Sequence, residues 1–150
     1  ADTYGLLKQQ KMPTVLLWNY AEAAEQPCVG ADNYQAGRLI GEHVVMLGHT
    51  RIATVFPPLT GNDRASQRLS GVLDVLEAHG HVIPPEWQLE TPYSVGSAKE
   101  VVEALMRRPG PPTALVCGND VLAWGALHAL GKAGFVGRLG GDEFVAFLNC

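Results

Sequence analysis

Six short runs rich in β-branched and other apolar residues, set among stretches with helical spacing, constrain this chain more than any other feature. They are TVLLW (14–18), CVGA (28–31), RIATVF (51–56), WQLETPY (87–93), TALVCG (113–118) and EFVAFL (143–148). Four helices are predicted along the same chain. The first covers 33–47, where Ala36, Leu39, Ile40, Val44 and Leu47 recur at helical spacing, with Asp32 as N-cap and Gly48 as stop. The second covers about 64–79 and closes at Gly80, the third starts from a Ser94 cap and ends at RRPGPP, and the fourth covers about 120–133 before Gly134. Strands and helices alternating in this way predict an α/β fold, a Rossmann-like parallel sheet flanked by helices.

A chain of 150 residues is the size of one ordinary domain and is long enough to bury a core. With 47% apolar residues and a net charge of -4, it has neither the composition of a disordered segment nor a basic surface for nucleic acid. The chain by itself is therefore expected not to bind DNA. Cys28, Cys117 and Cys150 are odd in number and lack CxxC spacing, and two fall in apolar runs, which points to reduced thiols and a cytoplasmic location. No apolar run reaches the length of a membrane span, and ADTYGLLKQQ lacks the basic start and apolar stretch of a signal peptide. There is no P-loop, GxGxxG or GxSxG, so neither a cofactor nor enzymatic chemistry is expected. His79 and His81 have no third ligand at zinc spacing and read as part of a solvated loop.

Four segments in order carry a resemblance. MPTVLLWN, CVGADNYQAGRLIGEHVVMLGHTRIATV, DRASQRLSGVLDVLEAHG and PTALVCGNDVLAWGALHALGKAG together cover most of residues 12–134. In this series the chain resembles the effector-binding core of the lactose-repressor (LacI/GalR) family of bacterial transcription regulators. The resemblance implies a type I periplasmic-binding-protein-like fold, in which a small effector, sugar or nucleoside-like, sits between two lobes. Residues 1–31 would be the end of the first lobe and residues 32–149 most of the second. The family's helix-turn-helix head, hinge helix and opening βα units have no counterpart here, so the chain is expected to be a piece of such a regulator. DNA would be met only through that absent head, and the intact protein would be a homodimer.

Open parallel sheets bind small molecules outside the carboxyl ends of their strands, so polar residues there are the candidates for a site. The resemblance places Trp18 and Asn19 on a stretch that lines the family's pocket from the first lobe. The indole would stack on a sugar or base face or else pack in the lobe interface. Arg68 falls on the family's effector-reaching arginine, whose fork of donors suits vicinal hydroxyls or a carboxylate. Arg64 could as easily pair with Asp63. Asn119, at a strand end, can donate and accept toward a ligand, whereas Asp120 is expected to cap the following helix. Asp32 and Asn33 are likewise read as capping residues.

The tail, residues 137–150, contains Gly140-Gly141-Asp142-Glu143-Phe144, the five letters that name the diguanylate cyclase (GGDEF) family. In that alternative Asp142 and Glu143 would be metal ligands, and the chain would be a sensor piece fused to, or truncated within, a cyclase. The family's Asp-x-Asp strand is missing, its inhibitory Arg-x-x-Asp site is missing, and only six residues follow Phe144. Two local structures are open for the tail. FVGRL and EFVAF could form a hairpin about the Gly-Gly pair. Alternatively Gly140 to Asp142 form a connector and Glu143 to Leu148 a strand, with Leu148 or Asn149 standing where the repressor family carries an effector-contacting acid.

Overall fold

The computed structural model describes residues 3–20, 25–132, 137–140 and 143–148, and side chains over 5–20 and 25–131. Its centre is a pair of parallel strands, β3 (Ile52–Phe56) and β5 (Ala114–Cys117), paired from Ile52↔Ala114 to Val55↔Cys117 and buried at every residue. Strands covered on both faces are largely apolar, which is why IATVF and ALVC do not alternate with charged residues and why Thr54 is buried along with its neighbours. Ala53, Val55, Leu115 and Cys117 face one core, with Val102 and Leu105 of α4 (Val95–Met106) and Leu122 and Leu130 of α5 (Asp120–Lys132). Ile52, Phe56, Ala114 and Val116 face the other, with Ile40 and Val44 of α2 (Asn33–Met46) and Leu69, Val72 and Leu76 of α3 (Asp63–Ala78). The result is a three-layer α/β/α unit, preceded by the short helix α1 (Thr3–Gln9).

The helix ends follow the local signals. Asp32 Oδ1 accepts from the Gln35 amide at 2.8 Å, Asn62 Oδ1 from Ala65 at 3.2 Å and Ser94 Oγ from Ser97 at 3.4 Å. Gly48 and Gly80, both at positive φ, follow α2 and α3 where the sequence predicts their stops. His79 is exposed, and its Nδ1–H donates to the Val75 carbonyl at 2.9 Å at the end of α3.

Strand β4 is shorter than the 87–93 run: only Gln88–Glu90 pairs with β3, at the sheet edge. The sheet order is β4-β3-β5-β7-β6, with β6 at Gly137–Gly140 and β7 at Glu143–Leu148. Here β7 runs antiparallel to both β5 and β6, as in the hairpin of FVGRL and EFVAF, one of the two local structures open for the tail. Two residues separate β6 from β7, too few for the crossover that parallel strands require, so the chain reverses as a hairpin. Apart from this sheet stands a two-stranded parallel pair, β1 (Leu16–Asn19) and β2 (Cys28–Ala31), with Trp18 opposite Gly30.

Two glycines set how closely α2 and α3 approach. A Cβ built on Gly37 would overlap the Arg68 carbonyl oxygen, and one on Gly71 would overlap that of Tyr34. Backbone therefore packs on backbone, and the first turn of α2 is drawn against the first two turns of α3. Gly71→Ala is expected to lower the unfolding free energy by about 1–3 kcal/mol through overpacking, read from urea denaturation. Gly96→Ala is the control: its nearest neighbour would be Ser94 Oγ at 3.8 Å, and the change should be neutral or stabilising.

Candidate functional site

The parallel strands point their carboxyl ends at one cleft of about 340 Å³. Pro57 follows β3, Tyr93 lies just beyond β4, Gly118 and Asn119 follow β5, and Asn62, Arg64 and Arg68 come from the start of α3. Each wall is thus a loop or helix start emerging from the same edge of the sheet, the place where such sheets collect ligands.

Arg68 is the hub. Its Nη1 donates to the Gly118 carbonyl and its Nη2 to Asn33 Oδ1 at 2.6 Å. Asn33 is 97% shielded from solvent, at 3% relative exposure, and its Nδ2 donates in turn to Asn19 Oδ1 at 2.9 Å and to the Ala31 carbonyl at 3.2 Å. Asn19 Nδ2 continues the chain to Asp63 Oδ2 at 3.0 Å. One network therefore links β1, the start of α2, the first turns of α3 and the end of β5. Burial first, and the Arg64 charge second, lower the Arg68 pKa from its ordinary value. Both causes disfavour the protonated form, and the acceptors it has found are neutral carbonyls rather than a carboxylate.

The sequence candidates fall in three places. Arg68 and Asn119 line the cleft together. Asn19 lies behind Arg68, joined to it through Asn33. Trp18 stands apart: it is 77% exposed, does not line this cleft, and adopts a φ of 79°, a conformation rare for a bulky side chain. The capping roles also differ from expectation. Asn119 Oδ1 accepts from the Leu122 amide at 3.0 Å, so Asn119 caps α5 and turns only its amide donors to other partners. Asp120 sits inside the first turn, accepting from the Val121 amide at 2.9 Å and from the Tyr93 hydroxyl at 3.5 Å.

Asn33 is the residue that sequence reasoning took for a cap and that the fold makes central. Its position two residues beyond β2, at a strand's carboxyl end, was the available signal. Of the alternative metal ligands, Asp142 lies outside the described residues and Glu143 is described only as the first residue of β7. Among the described residues no three His, Cys, Asp or Glu side chains group as metal ligands. No helix among the described residues is long and apolar enough to cross a membrane.

Residues 4–148 match the model of the family described as periplasmic binding proteins and sugar binding domain of the LacI family. The HTH-type transcriptional repressor PurR of Escherichia coli is 28% identical over 130 residues, which is 86% of this chain and 38% of that protein. A putative LacI transcriptional regulator from Bacillus cereus subsp. cytotoxis superposes with a TM-score of 0.78 at 35% identity, over 90% of this chain and 48% of its own. A LacI family transcriptional regulator from Enterococcus faecium, solved with bound ribose, gives a TM-score of 0.67 at 27% identity, over 85% of this chain and 47% of its own. The chain thus spans less than half the length of each of these relatives.

Removing the bridge between Arg68 and Asn19 should be felt in stability, because it strands buried polar groups. Asn33→Leu is expected to cost about 1–3 kcal/mol in urea unfolding, the penalty for unsatisfied donors and acceptors. A loss below a few tenths of that would mean that water replaces the amide without penalty.

Proposed function

We propose, for a chain that belongs to the family of periplasmic binding proteins and LacI-type sugar-binding domains, that the Arg68 cleft is one wall of a small-molecule effector site in a transcriptional regulator. The carrying observation is the convergence of Arg68 and Asn119 at the carboxyl ends of β3 and β5, with Arg68 held by Asn33 and Gly118. A sugar or nucleoside-like effector fits that chemistry: hydroxyl groups accept from the remaining guanidinium donors and from the Asn119 amide. The ribose in the Enterococcus faecium relative supports the sugar class.

Residues 32–149 are assigned as the second lobe and residues 1–31 as the end of the first. Support comes from the separate β1–β2 pair, where Leu17 and Val29 are 64% and 66% exposed, since parallel strands are ordinarily covered on both faces. Trp18 and Asn19 would then meet the effector from the first-lobe side, and effector binding would stabilise a closed arrangement of lobes. The output would be a change in a DNA-binding head carried elsewhere in a homodimeric, cytoplasmic regulator, without enzymatic chemistry or a cofactor. The GGDEF tail is read as a strand of this lobe, because β7 pairs with β5 from Ala114↔Phe147 to Val116↔Val145 and the family match runs through residue 148.

Calorimetry of this chain against sugars and nucleosides, free and as their phosphate esters, ribose included, tests the proposal. At least one is expected to bind, with Arg68→Ala weakening it by about tenfold or more. Heat from none of them, or affinity untouched by Arg68→Ala, would contradict the assignment.

A further inference from the structure

The cleft carries an unbalanced charge. Arg64 and Arg68 are four residues apart on α3 and so share a helix face, both line the cleft, and its other walls are uncharged. The carboxylates beside the cleft residues in sequence, Asp63 and Asp120, have other partners. Asp63 accepts from Asn19 Nδ2 at 3.0 Å and from the Arg64 backbone amide at 2.9 Å, and Asp120 accepts from Val121 and Tyr93. Among the described residues neither arginine forms an ion pair with an acid. Arg64 is exposed, and Arg68 commits two of a guanidinium's five N–H donors to neutral carbonyls, leaving three.

Two like charges one turn apart repel, and a neutral sugar does nothing to offset that. An oxyanion does. The start of α3 adds the positive end of a sixteen-residue helix at the same place.

We propose that the effector carries a phosphate ester, held between the Arg64 and Arg68 guanidiniums with the Asn119 amide on the facing wall. A phosphate monoester, at roughly −1.5 to −2 near neutral pH, matches the two guanidiniums, where a carboxylate balances only one. This assignment rests on the cleft being the effector site and adds the class of group that it selects.

Inorganic phosphate is the probe that needs no knowledge of the effector. Titrated into the ¹⁵N-labelled chain at constant ionic strength, it is expected to shift the amides of Asn62, Arg64, Ala65, Gly118 and Asn119 saturably. Arg64→Gln should weaken that binding roughly tenfold, whereas Arg38→Gln, on α2 with its guanidinium paired to Glu42, should leave it unchanged. Acetate at the same ionic strength should bind at least about tenfold more weakly than phosphate. No saturable shift at these amides, equal affinity in Arg64→Gln, or acetate binding as tightly as phosphate would each overturn the proposal. The neutral panel separates the two levels. If a neutral sugar or nucleoside moves the same amides while phosphate does not, the cleft remains an effector site and the phosphate assignment fails. If nothing moves them, both fail.

Discussion

The fork of Arg68 between the Gly118 carbonyl and Asn33 Oδ1 is the interaction on which the site depends. Two nearby elements must be in place before it can form. Gly37 and Gly71 let the backbones of α2 and α3 touch, which brings the first turn of α2 within reach of a side chain on the second turn of α3. The three-layer packing then sets the end of β5 beside the same guanidinium. A Cβ at either glycine would press the two backbones apart, and with them Asn33 from Arg68.

Charge works in the same direction. Arg68 is half-buried, its protonated form is disfavoured by burial and by Arg64, and its partners are neutral. A buried guanidinium without a counter-ion is an under-compensated charge, a condition more at home in a binding site than in a purely structural one. The network also reaches β1 through Asn19, so Arg68 is linked to the two-stranded pair as well as to the main sheet. That connection supplies a physical route from cleft occupancy to the relative placement of the proposed lobes.

Much of the fold was legible because its signals are local. IATVF and ALVC announce buried central strands, Asp32 and Ser94 announce caps, and Gly48 and Gly80 announce stops; each depends on neighbours a few residues away. Arg68 and Asn119 became candidates through resemblance and strand-end position. Asn33 did not, because its partners lie 14 and 35 residues away and its sequence neighbourhood looks like an ordinary helix start. The direction of β7 was legible only as one of two readings, an FVGRL–EFVAF hairpin or a connector followed by a strand. An apolar run such as EFVAFL fits a parallel or an antiparallel neighbour alike, and only the two-residue separation from β6 decides it. Phe144 belongs to a strand that extends the β5 sheet.

The central claim is that Asn33 and Arg68 act as one unit. A double-mutant cycle on Asn33→Ala and Arg68→Ala, with unfolding free energies from urea denaturation, measures that directly. The account predicts a coupling of about 1–3 kcal/mol, as for contacting residues in one buried hydrogen-bond network. Additivity of the two losses within about 0.3–0.5 kcal/mol, as between independent sites, would contradict it.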